Sequence, residues 1–233
     1  MRRLLTFVLS LGVLVGTLTT QTPETQHRDV RLTDYAVNRI AVIGDSYTTG
    51  SDEGGTGTQG WTTQAWRALA QHGIAVTPTV AAEGGAGYCT RGNRGSVFED
   101  LTVRGVKPSD ALVVFFGSRN DKDVDPTRLS IAMYGTLKLA RQIAQSAKFL
   151  VVGPPWPTAD PPPTIQRVRD VLGYQAELAG ATFVDPIAAR WFVGKPELIG
   201  ADGVHPTDAG HSYMADKLAP LIGAQLNPTD PRG

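Results

Sequence analysis

The sequence predicts an α/β fold in which a parallel sheet is covered by helices on both faces. Three observations predict it. Short apolar runs alternate with helix-length segments along the chain. The strongest run, residues 111–116 (ALVVFF), is apolar throughout and bounded by Asp110 and Gly117. Such a run belongs to a strand buried on both faces, as strands between two helical layers are. The polar, glycine-bearing segments follow the runs, at the strand ends where such folds place their chemistry.

The first twenty residues stand apart from that pattern. Arg2 and Arg3 form a positive start, and residues 4–18 are apolar apart from Thr6, Ser10 and Thr17. A membrane-spanning helix needs about 20 apolar residues, and this shorter stretch has the proportions of a secretory signal. Residues 1–20 are therefore expected to be a signal peptide, with a short N-terminal anchor as the alternative. No Ala-x-Ala cleavage site follows, and Gly16, Thr17, Thr19 and Thr20 serve only as tolerable small residues. Export implies a secreted or cell-envelope protein, associated with the membrane or envelope where the segment is kept. Residues 21–38 read as a polar linker, 39–225 as one catalytic domain and 226–233 as a tail.

Within the domain, residues 39–43 read as a buried strand closed by Gly44. Residues 61–72 read as a helix with Trp61, Ala65, Trp66, Leu69 and Ala70 on one face and Gly73 as its stop. Residues 74–80 form a second strand; Pro78 donates no N–H, which suits an edge. The run at 111–116 is the third. Residues 126–147 are a long amphipathic helix with Pro126 in its first turn and Leu129, Met133, Leu137, Ala140 and Ile143 near helical spacing. A fourth strand, 149–152, runs into Gly153-Pro154-Pro155-Trp156-Pro157 and Pro161-Pro162-Pro163, which cannot lie in a sheet or a helix interior. Residues 164–178 read as a helix, 182–184 as a short strand and 207–224 as a final helix after Pro206.

Composition excludes several classes. Twenty-two basic residues balance 22 acidic ones, so nothing recruits a nucleic acid electrostatically, and none is expected as partner. Hydrophobic content of 41% over 233 residues suits one sizeable core. Cys89 is the only cysteine, which rules out an intramolecular disulfide; it reads as a small half-buried thiol. No His, Cys and Asp residues stand at ligand spacing, so no metal and no cofactor are expected.

Chemistry-bearing residues sit at the strand ends. Ser46, in Gly44-Asp45-Ser46-Tyr47-Thr48, follows the first strand. A serine hydroxyl is inert at neutral pH until an imidazole takes its proton; alone, the tripeptide reads equally well as a helix cap. No Gly-x-Ser-x-Gly is present, which argues against an α/β-hydrolase elbow. Asp202 and His205 stand three apart, and Pro206 holds His205 outside a helix. The carboxylate can fold back onto one ring nitrogen and leave the other for the serine. By itself that segment also reads as an Asp-Gly turn with an exposed histidine. His27 lies in the linker and His72 and His211 on expected helix ends or faces, so only His205 has an acidic residue placed this way after a strand. Asn120 follows the strongest strand, where its amide can donate to a developing negative oxygen. Gly84 and Gly85 follow the second strand, where an N–H can approach a substrate closely. Tyr47, Trp61, Tyr88 and Trp156 are candidate pocket-lining residues, with core packing as the alternative. Arg119 is a candidate for an anionic substrate group, with a solvated outward side chain as the alternative.

In combination these segments, spanning 39–218, resemble the SGNH hydrolases, also called the GDSL esterase/lipase family. The resemblance implies a flavodoxin-like three-layer sandwich with a five-stranded parallel sheet. It implies Ser46 as nucleophile, His205 as base and Asp202 as the orienter of the base. The oxyanion hole would comprise the backbone N–H groups of Ser46 and Gly85 and the amide of Asn120. Three departures stand out. Tyr47 occupies a place where leucine often follows the serine. No asparagine stands a few residues before Gly85, which leaves Gly84 eligible too. Ser118 replaces a glycine before Asn120-Asp121. The implied activity is that of a serine esterase or lipase acting on a small-molecule, lipid or sugar ester through an acyl-enzyme on Ser46. An acyltransferase or deacetylase using the same triad is the first alternative, and a non-catalytic secreted binding module the second.

Overall fold

The computed structural model describes residues 38–226. The signal-peptide or anchor segment 1–20, the linker up to residue 37 and the tail from residue 227 lie outside the described residues. Five strands, β1 (Asn38–Gly44), β2 (Val76–Ala82), β3 (Leu112–Phe116), β4 (Lys148–Val152) and β5 (Thr182–Val184), form one parallel sheet in the order β2-β1-β3-β4-β5. β3 lies at its centre, and all five of its side chains are fully buried. Each large apolar side chain so buried contributes about 1.5–3 kcal/mol, which is why the most apolar run takes the central place.

Successive strand residues face opposite ways. β1 sends Ile40 and Val42 into one core and Ala41 and Ile43 into the other. A single turn, α1 (Ser46–Thr49), follows β1. Helices α2 (Trp61–Gln71) and α6 (Asp208–Leu226) cover the first face through Trp61, Leu69, Met214 and Leu218. The second face is covered by α3 (Phe98–Gly105), α4 (Pro126–Ile143) and α5 (Pro163–Leu178), through Leu101, Met133, Leu137 and Leu172. The result is the expected three-layer sandwich with the flavodoxin-like strand order.

Register fixes where the loops begin. Gly44 pairs with Ala82 and Phe116, Phe116 with Val152, and Val152 with Val184. All five strands therefore end in one row, and every loop leaving a carboxyl end starts from the same sheet edge.

Several elements differ from the sequence expectation. α3 is absent from the sequence reading; it is held at its start by the Val97 N–H donating to Asp100 Oδ2 at 3.1 Å. α4 ends at Ile143, before 147: Ala144 leaves helical geometry with φ of −115° and ψ of 76°, and Arg141 ties down the segment that follows by donating to the carbonyls of Gln145 and Ala147. In α2, Ala70 is exposed, and Thr62 lies on the buried face with Trp61, Ala65 and Leu69. β2 starts at Val76, two residues later than expected, and does lie at an edge.

Candidate active site

Gly44 ends β1, and the chain turns at once into α1. A Cβ on Gly44 would meet Thr48 Oγ1 at 2.2 Å, so only glycine lets that turn close. Asp45 caps α1, its Oδ1 accepting the Tyr47 N–H at 2.9 Å. Ser46 is thereby presented at the first position of a helical turn, partly open to solvent. A backbone N–H at that position has no acceptor within its own helix.

From the opposite end of the chain, the segment before α6 brings His205 to the serine. His205 Nε2 lies 3.0 Å from Ser46 Oγ, and His205 Nδ1 lies 2.5 Å from Asp202 Oδ2. The other carboxylate oxygen of Asp202 accepts the N–H groups of Val204 and His205 at 2.8 and 2.9 Å. One carboxylate thus shapes the turn and orients the ring. Against the cost of its burial, the hydrogen bonds from the His205 ring and from both backbone N–H groups hold Asp202 at about 2. It stays ionised throughout the neutral range.

The expected oxyanion elements leave the same sheet edge. Gly85 takes a left-handed backbone, with φ of 77°. Asn120 lies in a short turn, Arg119–Asp121, after β3. Its Nδ2 donates to Ala86 O at 2.8 Å and to Asp45 Oδ2 at 3.3 Å. The second contact is long, and an incoming oxyanion would compete with it for that N–H.

Three carboxylates that the sequence reading passed over organise this site. Asp121 is fully buried and accepts the N–H groups of Tyr88, Cys89 and Thr90 at 2.7, 3.1 and 2.9 Å, which ties the glycine-rich loop to the Asn120 turn. Glu53 accepts the N–H groups of Ala201 and Asp202 at 2.9 and 3.2 Å, tying the loop after Ser46 to the His205 loop. Asp45 is the third. Burial pushes its carboxyl up to about 7, against the pull of the Tyr47 N–H and the Arg119 charge. The only sequence signal for any of them is an acidic residue beside Ser46 or Asn120, or in the loop after Ser46.

The state of Asp45 has a measurable consequence. Its carboxyl titrates near 3.8 when exposed and near 7 when folded. Between those values the unfolded chain releases a proton that the folded chain keeps, so wild-type stability falls as pH rises through that window. Asp45→Asn keeps a capping oxygen and removes the titration. Its stability relative to wild type should climb by on the order of 4 kcal/mol between pH 4 and 7 and level off above. Urea unfolding of both proteins across that range checks this, and a difference independent of pH would contradict it.

Not every expected lining residue reaches the cleft. Tyr88 is in the core against Phe98, with ring centroids 4.8 Å apart, and Trp61 is fully buried against Phe116. Tyr47 is 1% exposed; its hydroxyl donates to the carbonyl of Val204, so it braces the His205 loop instead of touching substrate. In each case a large ring is worth more in the core than at the surface. Trp156 and Arg119 are partly exposed at the sheet edge. Cys89 is half-buried, and burial pushes its thiol up to about 11, away from nucleophilic use. Beside the His205 loop opens a cleft of about 550 Å³, its walls including Pro157, Phe192, Val193, Ile199 and Gly203.

Comparison with known proteins places this arrangement. The profile of the GDSL-like Lipase/Acylhydrolase family matches residues 42–213. A GDSL lipase of Mycobacterium tuberculosis is 57% identical over 226 residues, covering 95% of this chain and 97% of the relative. Among solved structures, TesA superposes with a TM-score of 0.63 at 24% identity, over 82% of this chain and 99% of that one. A lipase/acylhydrolase from Enterococcus faecalis gives 0.63 at 19% identity, over 83% and 100%. A family two carbohydrate esterase from Clostridium thermocellum gives 0.64 at 18% identity, over 81% of this chain; this chain spans 64% of that longer protein.

Proposed function

The chain belongs to the GDSL-like lipase/acylhydrolase family and is a carboxylic ester hydrolase; from that premise, we propose that it works through an acyl-enzyme on Ser46. The single observation that carries this reading is the continuous contact of Ser46 Oγ, the His205 ring and the Asp202 carboxylate. In the first stage His205 Nε2 takes the Ser46 proton as Oγ attacks the ester carbonyl. The negative oxygen that forms is met by the N–H groups of Ser46 and Gly85 and by the Asn120 amide. His205 then gives its proton to the leaving alcohol. In the second stage a water molecule, deprotonated by His205, attacks the acyl carbon and releases the acid and free Ser46. The apolar walls of the cleft suit the acyl portion of a lipid or small-molecule ester. The N-terminal segment supports an exported enzyme acting in the cell envelope or outside it.

Turnover of p-nitrophenyl esters of increasing chain length tests the hydrolytic reading. Free acid should appear in step with p-nitrophenol, with water as acceptor even when an alcohol is added. Acyl transfer to the added alcohol in place of acid release would overturn hydrolysis in favour of an acyltransferase. On the same substrates Asn120→Ala should lower kcat by about 100- to 1,000-fold with little change in KM. A loss confined to KM would remove Asn120 from the oxyanion hole.

A further inference from the structure

Arg119 precedes the candidate oxyanion donor Asn120, yet it is not the outward, solvated side chain that arginines usually are. Its Cζ lies 4.8 Å from the centre of the Trp156 ring. The ring is itself fixed, because its Nε1–H donates to Thr158 Oγ1 at 3.0 Å. One guanidinium nitrogen, Nη1, is buried and has no hydrogen-bond partner. Among the described residues Arg119 makes no ion pair. A buried N–H with no acceptor gives up its hydration and gains nothing in return. A free arginine side chain would avoid that by extending into water.

Neutralising Asp45 does not account for this arrangement. The two Asp45 oxygens already accept the Tyr47 N–H and the Asn120 amide, and Arg119 acts on that carboxyl only through space. Trp156 leads into Pro157 and Thr158, which line the cleft beside the His205 loop. Arg119 therefore joins two walls of the site. It is the chain neighbour of Asn120 on one side and is stacked against the cleft loop on the other. The guanidinium sits beside the Tyr47 hydroxyl and is held by an aromatic face, yet Arg119 stays partly open to solvent; a planar group so held matches two oxygens of a carboxylate or phosphate.

We propose that Arg119, presented by Trp156, sets the specificity of the site by selecting esters that carry a carboxylate or phosphate a few bonds from the ester carbonyl. This rests on the ester-hydrolase reading above. It narrows the substrate class to anionic esters and separates them from neutral acyl esters of the same size.

Two matched substrate pairs test it. Mono-p-nitrophenyl glutarate, with its anion on the acyl side, is compared with its methyl ester. 2-Acetoxyethyl phosphate, with its anion on the alcohol side, is compared with 2-methoxyethyl acetate. At least one anionic ester should exceed its neutral counterpart tenfold or more in kcat/KM, mainly through KM. The preference should shrink as salt is added, a readout that needs only the wild-type enzyme. Arg119→Met should cost the anionic ester at least tenfold more than the neutral one, and Arg119→Lys, which keeps the charge, should retain part of the preference. Which pair responds tells whether the acyl or the alcohol side carries the anion. Ser46-dependent turnover with no anionic preference would overturn the inference and leave the esterase standing. Equal losses on neutral and anionic esters in Arg119→Met would also overturn it, since Arg119 would then act on the oxyanion or on Asp45. If no ester turns over, the esterase reading fails, and binding of the glutarate ester to Ser46→Ala, with and without Arg119→Met, decides the inference.

Discussion

Replacing Ser46 by alanine should lower kcat on a p-nitrophenyl ester by about 10⁴- to 10⁶-fold. The loss is large because the other two groups have no separate use once the hydroxyl is gone. His205 can still hold a proton and Asp202 can still orient the ring, but no Oγ remains to form the acyl-enzyme. What survives is binding and the oxyanion donors, which act weakly on direct attack by water. The side chain is small, partly exposed and bonded only through Oγ to His205. The variant should therefore fold with an unchanged Tm, and a thermal melt separates lost chemistry from lost structure. Wild-type turnover in a properly folded Ser46→Ala protein would remove Ser46 from the mechanism.

The second large effect is expected from Asp202→Asn, at about 10⁴-fold in kcat. The two oxygens of Asp202 do different work, which makes this substitution informative. Oδ1 accepts the N–H groups of Val204 and His205, and an amide oxygen can keep both bonds. Oδ2 faces His205 Nδ1 at 2.5 Å, and the variant puts an NH₂ group there. That group donates, so Nδ1 must become the acceptor and the proton moves to Nε2, the nitrogen that has to receive the serine proton. The base is lost through its tautomer while the turn stays intact. KM and Tm should change little. A kcat within tenfold of wild type would show that the carboxylate does not set the ring. Because Asp202 is held at about 2, its protonation is no cause of any activity lost between pH 4 and 7.

Much of this was within reach of the sequence, for reasons that can be stated residue by residue. β3 is legible because LVVFF has no polar residue to confuse a buried strand with anything else. The triad is legible because each member follows a strand or precedes a helix, and a parallel sheet gathers all such ends on one edge. α3 is not legible, since FEDLTVRG offers few apolar residues and its start depends on a side chain reaching back to Val97. The aromatic residues mislead for a related reason. Tyr47 and Tyr88 flank the active-site loops in sequence, but which way a ring points depends on packing against Phe116 and Phe98. Asp45, Glu53 and Asp121 look like ordinary turn carboxylates. The roles of Glu53 and Asp121 come from backbone N–H groups up to about 150 residues away in the chain, as with Glu53 and Asp202, and that of Asp45 from its burial and the Asn120 amide; no local pattern carries that information. Arg119 shows the same limit, because its lack of an acceptor is a property of the folded surroundings and not of the residue.

Intact-mass analysis after treatment with a fluorophosphonate tests the acyl-enzyme on Ser46 most directly. That reagent bonds readily to a serine activated as the geometry here requires and only slowly to an ordinary hydroxyl. One adduct per chain, located on the peptide that contains Ser46, should appear as ester turnover disappears in proportion, and Ser46→Ala should take up none. An adduct on a different residue, or full ester turnover in a chain already labelled at Ser46, would contradict the account.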